Sequence, residues 1–391
     1  MSESFDTVVI GGGVMGCATL HYLADLGITD TILLERDTLA SGSTGRSMTI
    51  LRMHYSNRLT SEMAWWSRGV MVNFEESTGS PSGYRENQWI LVPGSGNRNP
   101  AQQNVELAQS IGIDTEVLDV DEAEKRWPYM RFDNTDCVVW EPKSGFADSH
   151  LVTRGFATSA RDRGAIVRLG VTVTDVLVDN DRAIGVKTDQ GDIFADRVVL
   201  TAGPWNMEFL ENVGAPLPLH TVRHQVVRLQ HHSGFNDNAD PFHPTIAEGM
   251  TGLSARPDTP GYSLLGYRED PVDRDTYNQS VDTEVAIEAM TRFSAIIPAY
   301  ENATWAGGWS GLFTVTPDWN PVIDHVPGVE NLVVGAGFSG HGFKMSPAIG
   351  RSLAELATNA DETTFDLTSI RFSRFEEGDL LKSAYGGNVF A

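Results

Sequence analysis

A chain of 391 residues is long enough to bury a large core, and two structural domains are its natural organisation. A net charge of −23 argues against nucleic-acid or anionic-membrane partners, and no run approaches the roughly 18 apolar residues of a membrane span. Cys17 and Cys137 make no disulfide framework, and with no signal-peptide pattern at the N-terminus the expectation is a protein of a reducing, cytoplasmic compartment.

Residues 6–35 predict a strand, a glycine turn, a helix and a second strand ending in Glu35. Gly11, Gly13 and Gly16 match G-x-G-x-x-G: the first permits the tight turn, the second lets backbone approach a pyrophosphate, and the third lets the helix pack on the strand. The helix N-terminus, at Val14 and Met15, offers free N–H groups and a partial positive charge to phosphates. Glu35 lies where an acid can accept hydrogen bonds from a ribose. A glycine turn in some other α/β fold is the competing reading, but the strand, helix and terminal acid together favour dinucleotide binding. The small polar loop that follows, with Arg36, Ser41, Ser43, Thr44, Gly45, Arg46 and Ser47, suits an extended FAD better than the next strand of a simple NAD domain.

Beyond this unit, residues 59–78 predict a helical stretch whose Trp65, Trp66, Val70, Val72 and Phe74 read as core. A strand over 89–92 precedes a helix over 99–111 stopped by Gly112, a short helix over 120–127 ended by Pro128, and a strand over 138–140. A helix over 151–163 leads into strands over 167–173, 171–178 and 183–186. The strand over 196–200 then ends in the small turn Thr201-Ala202-Gly203-Pro204-Trp205. Strands over 224–229 and 262–267 and a helix over 283–296 complete a mostly antiparallel region. A strand over 331–335 feeds the turn Gly337-Phe338-Ser339-Gly340-His341-Gly342 and a helix over 346–356.

His220, His224, His231, His232 and His243 match no zinc spacing and read as surface or loop residues, so no metal is expected. Gly337-Phe338-Ser339-Gly340 and Gly308-Trp309-Ser310-Gly311 both lack the G-x-S-x-G spacing of a hydrolase nucleophile. With only five lysines in the chain, Lys344 inside a glycine-rich motif is conspicuous.

Residues 6–35, 41–52, 201–205 and 335–344 resemble the D-amino-acid oxidase superfamily of flavoenzymes, and within it the sarcosine oxidase group, which includes N-methyl amino acid oxidases and the β subunits of multi-subunit sarcosine oxidases. The resemblance covers nearly the whole chain and is most specific over Gly337–Lys344. It implies an α/β fold: a Rossmann-like FAD-binding domain (1–85, 151–218 and 323–391) with an α+β substrate domain of mostly antiparallel sheet (86–150 and 219–322). It implies that Ala202, Gly203 and Trp205 lie near the FAD, that Val173 makes an adenine-side backbone contact, and that Gly337–Gly342 reach the flavin ring. Arg52 and Lys344 would hold the substrate carboxylate, a guanidinium fork supplemented by a point charge.

Three departures from that group matter. Gly311 stands where monomeric sarcosine oxidases carry a flavin-linking cysteine, which implies non-covalent FAD. Leu264 stands where the group has its oxygen-activating lysine, which implies slow reaction with oxygen or another electron acceptor. Arg268 replaces a histidine and is expected as a further anchor, about 13 Å along the strand from Leu264 on the same face. The activity implied is oxidation of the C–N bond of a small secondary or N-methylated amino acid, with hydride passing to the flavin and the imine hydrolysing. The alternatives are a primary amino acid substrate, such as glycine or a D-amino acid, or a role as the flavin subunit of a larger complex with partner chains.

Overall fold

The computed structural model describes residues 3–231 and 243–386; His232 and residues 387–391 lie outside them. Two eight-stranded sheets organise these residues. In the first, Ile166–Leu169, Thr31–Glu35, Glu3–Ile10, Gly191–Leu200 and Leu332–Ala336 run parallel in that order. The antiparallel strands Val173–Asp179, Arg182–Thr188 and Val322–His325 complete it. The central strands read as continuous apolar runs because both faces are covered: Val8, Val9, Ile32, Leu33, Val198 and Val199 are fully buried.

Two strand–turn–helix units lie on this sheet, Glu3–Ile10 into Val14–Asp25 and Leu332–Ala336 into Gly342–Ala357. Their helices pack directly together. A Cβ built on Gly350 would lie 2.5 Å from the Cβ of Ala18, so glycine is what permits this approach. Both helix N-termini therefore open on the same end of the sheet, where open α/β folds bind ligands.

The second sheet runs Thr304–Val315, His220–Gln230, Tyr262–Pro271, Ser254–Pro257, Thr245–Glu248, Trp89–Val92, Val138–Glu141 and Glu116–Leu118. All its pairings are antiparallel except that of Thr245–Glu248 with Trp89–Val92. The helix Thr283–Ile296 covers its far face through Val285, Ala289 and Phe293.

Several boundaries differ from expectation for local reasons. The strand expected over 167–173 is two, separated at Gly170, whose φ of +71° turns the chain. The stretch over 59–78 is two helices, Arg58–Val72 and Phe74–Thr78, divided at Asn73. The last glycine turn feeds its helix at Gly342, not at 346. Ser346-Pro347 imitates a cap followed by a first-turn proline, yet Ser346 is wholly buried and Pro347 lies inside the helix. Lys344 thereby sits in the first helical turn. Trp65 and Trp66 pack against the core, whereas Val72 is exposed. Among the described residues no helix is long and apolar enough to cross a membrane, and no cluster of three or more His, Cys, Asp or Glu is placed to hold a metal.

Candidate active site

A cleft of about 400 Å³ runs over the shared end of the two helices. Gly11, Gly13, Val14 and Met15 form its floor at the first turn. Gly11 holds φ +104°, and a Cβ there would lie 2.7 Å from the carbonyl oxygen of Thr201. Gly16 is outside the lining; a Cβ on it would lie 2.0 Å from the carbonyl oxygen of Gly11, so its glycine serves helix–strand packing. Glu35 and Arg36 stand at one wall. The Glu35 carboxylate accepts from the N–H of Gly12 at 2.7 Å and of Asp37 at 2.8 Å, which fixes it while leaving lone pairs for a further donor. The Arg36 guanidinium lies 3.8 Å over the Trp205 ring.

Ser41, Ser43, Thr44 and Ser47 line the cleft, as do Val173, Ala202, Gly203 and Trp205. Thr44 Oγ1 accepts from the N–H of Val14 at 3.1 Å, tying the polar loop to the helix end. Phe338, Ser339, Gly340 and Gly342 line the opposite end, where Ser339 holds φ +46°. Gly45, Gly311 and Gly337 are not in the lining. A Cβ built on them would lie 2.5 Å from the carbonyl oxygen of Ala40, 2.9 Å from the Arg46 side chain and 2.3 Å from the Thr316 side chain respectively. Cys17 and Cys137 are buried and line neither this cleft nor the chamber beside it. An elongated cleft, a glycine floor that admits backbone contact, a helix N-terminus for a pyrophosphate and a fixed acid for a ribose together fit FAD.

The cleft opens into a smaller chamber of about 130 Å³, with Ser47, Phe313, Ser339, Gly340 and Phe343 common to both. Arg52, His341 and Lys344 line this chamber, as does Arg46, whose guanidinium is held by the carbonyls of Ser41 and Gly42. Arg52 is buried and pairs with no acid among the described residues. Its guanidinium donates to the carbonyl of His54 and to Nδ1 of His341 at 3.4 Å, and it lies 4.3 Å over the Tyr55 ring. Lys344 is also buried, and its ammonium makes no hydrogen bond or ion pair among the described residues. Burial, and then the Arg52 charge, hold that ammonium well below its usual range. His341 is pushed down for the same reason, by burial first and then by Lys344 and Arg52. Its Nδ1 faces Arg52 and the Tyr55 hydroxyl, both donors there, so the neutral ring carries its proton on Nε2, which is buried without a partner.

Arg268 reaches neither cavity. The pairing of Tyr262–Pro271 with His220–Gln230 goes from Gln225 opposite Tyr267 to His224 opposite Glu269, so Arg268 is an extra, bulged residue at φ +65°. Its side chain is 43% exposed and pairs with Asp270 and Glu284. A bulge resets the alternation of faces, and Glu269 takes the inward position that strict alternation assigns to residue 268. The chamber therefore receives an acid where a cation was expected.

Glu269 and its partner His224 were not among the expected site residues, and neither were Trp89 and Trp319, which also line the chamber. Of the histidines read as surface or loop residues, His243 is fully buried against Ser263 and His224 is mostly buried against Phe313. Leu264 packs in an apolar cluster with Met48 and Val226.

Residues 6–356 match the family model described as DAO, FAD dependent oxidoreductase. The chain is 26% identical over 368 residues to the mitochondrial sarcosine dehydrogenase of Homo sapiens, an alignment covering 90% of this chain and 40% of that one. The chain thus spans well under half the length of that relative. It is 28% identical to the sarcosine oxidase subunit beta of Rhizobium meliloti, covering 96% and 90% of the two chains. Among solved structures, the L-proline dehydrogenase of P. horikoshii superposes with a TM-score of 0.88 at 27% identity, over 97% of this chain and all of that one.

Proposed function

The chain belongs to the DAO family of FAD dependent oxidoreductases, and from that premise we propose that it oxidises the carbon–nitrogen bond of a small secondary or N-methylated amino acid, sarcosine- or proline-like. The observation that carries this reading is that two buried basic side chains, Arg52 and Lys344, line one small chamber and form no ion pair among the described residues. Keeping both groups charged side by side is costly, which is why Lys344 is held below its usual range, and a substrate carboxylate supplies the negative charge that favours the ammonium. A guanidinium fork orients that carboxylate and an ammonium adds point charge.

FAD, when bound, supplies the acceptor for the hydride that leaves the carbon next to nitrogen. The protein's share is orientation, anchoring and exclusion of water. The aromatic walls at Trp89, Phe313 and Trp319 shape a chamber suited to a small substrate. We assign residues 1–85, 151–218 and 323–391 to cofactor binding and 86–150 and 219–322 to the substrate side. The two eight-stranded sheets support this division, although a three-stranded sheet of Ile50–Leu51, Gly145–Phe146 and Arg85–Glu86 crosses it. The names of the relatives support a secondary amine: one acts on sarcosine and one on L-proline. The relative named as a β subunit supports a further reading, in which this chain passes electrons to partner chains.

The test is a panel of sarcosine, L-proline, glycine and D-alanine, scored by anaerobic bleaching of the flavin. Bleaching by sarcosine or L-proline well ahead of the primary amines is the expected result. Bleaching by the primary amines alone overturns the secondary-amine assignment.

The surroundings of Leu264 bear on the electron acceptor. Reduction of oxygen develops negative charge, and a fixed cation lowers its barrier. Leu264 lies in an apolar cluster, and Arg268, bulged outward, does not replace a cation there. Reoxidation of the reduced protein by air is therefore expected to be slow, and faster in Leu264→Lys. Stopped-flow absorbance checks both; fast reoxidation of the unaltered protein removes this position from the argument.

A further inference from the structure

His224 and Glu269 meet in the wall of the chamber, beside Phe313. Nδ1 of His224 lies 2.9 Å from Oε1 of Glu269, and the imidazole stacks on Phe313 with centroids 4.6 Å apart. Both residues line the chamber that holds Arg52 and Lys344, and Phe313 lines chamber and cleft alike. The carboxylate only accepts, so Nδ1 carries the proton of the neutral ring and Nε2 is left as an acceptor. Gly266 makes room for this arrangement: a Cβ there would lie 2.6 Å from Nε2 of His224 and 2.5 Å from Sδ of Met48. Three local features thus serve one imidazole: the bulge at Arg268 that turns Glu269 inward, the glycine beside Nε2, and the aromatic ring beneath it.

We propose that His224, positioned by Glu269, takes the proton of the substrate ammonium before oxidation. The inference rests on the amine-oxidation reading above. An alkylammonium keeps its proton until about pH 10, and a protonated nitrogen has no lone pair to assist departure of hydride from the adjacent carbon. In the step, the N–H bond breaks, its electron pair remains on nitrogen, and the proton bonds to Nε2 of His224. Glu269 then faces an imidazolium and balances its charge. The other charged or titratable groups lining the chamber are Arg46, Arg52, His341 and Lys344; Arg223, one position earlier on the strand, instead pairs with Asp282. Substrate would thus be gripped at both ends, carboxylate on the cations and nitrogen toward the acid-supported imidazole.

The test uses FAD-loaded protein with sarcosine and L-proline as probes, followed by anaerobic flavin reduction from pH 6 to pH 10. Reduction of the unaltered protein by either probe first establishes the amine reading; with no reduction by either, that reading fails and this inference falls with it. With reduction observed, His224→Gln, which keeps a donor toward Glu269, is expected to be about 100-fold slower at pH 7. The gap should close as pH approaches 10, because deprotonated amine then comes from bulk solution. Glu269→Gln should show the same converging profile with a smaller gap. Acetate, which carries the anchor group and no amine, should perturb the flavin spectrum with unchanged affinity in both variants. A gap that stays constant across pH, or no gap at pH 7, overturns the proposal. So does a loss of acetate binding, which would make the dyad a support for the chamber wall. Gly266→Ala, which displaces the ring without altering either titratable group, supplies the independent variant: it should reproduce the converging profile, and a rate equal to the unaltered protein at pH 7 also overturns the proposal.

Discussion

With Arg52 replaced by alanine, acetate and sarcosine are expected to bind the FAD-loaded protein at least tenfold more weakly while the flavin is retained. Arg52 is buried and paired with no acid among the described residues; it donates only to a backbone carbonyl and to His341. Losing one partner of a buried, hydrogen-bonded charge contact costs about 2–5 kcal/mol. Lys344 tempers the single effect. The Arg52 charge helps hold the Lys344 ammonium below its usual range, so removing Arg52 lets Lys344 keep its proton more firmly. Arg52→Ala with Lys344→Met should consequently lose more than the sum of the single losses, the signature of coupled neighbours. Titrations followed through the flavin spectrum check this, and an unchanged acetate affinity in Arg52→Ala removes that residue from the ligand site.

Gly13→Val is expected to abolish FAD binding with little change to the fold. The three fingerprint glycines differ in what a side chain would meet. At Gly11 and Gly16 a Cβ would lie 2.7 Å and 2.0 Å from backbone carbonyl oxygens, so substitution there strains the protein itself. At Gly13 the nearest atom is the Thr44 hydroxyl at 3.3 Å, and the φ of −74° suits any residue. A branched side chain at 13 therefore fills space belonging to the cofactor rather than to the chain. The purified variant should be colourless, with a melting temperature close to that of the unaltered protein stripped of FAD. A yellow, fully loaded Gly13→Val would contradict the role given to this turn.

The parts of the site that lie close together along the chain are legible in the sequence itself. A strand, a glycine turn and a helix declare themselves through the β-branched run before Gly11, the glycine spacing and the apolar periodicity after Met15, because each is a constraint between near neighbours. The loop over 41–47 and the turn over 337–342 carry similar signals, although Ser346-Pro347 points to a helix start four residues too late. The chamber is different. Its walls come from residues 46–52, 89, 224, 247–254, 269, 313–319 and 339–344, and no local pattern says that these segments meet.

The bulge at Arg268 shows most clearly what a one-dimensional reading leaves open. Alternation along a strand assigns faces only while the ladder is regular, and one extra residue exchanges Arg268 for Glu269 at the chamber. The register against His224 that produces this exchange is a long-range pairing, so tertiary structure alone decided the sign of the charge on that wall. What the sequence determined by itself was the glycine-floored cradle; the joint role of Arg52 and Lys344 was implied only by the family resemblance. What the fold decided was that both line one chamber with no ion-pair partner among the described residues, and which acid and imidazole were set near them. That outcome depends on strands distant in the chain packing side by side, where desolvation rather than local propensity sets the chemistry.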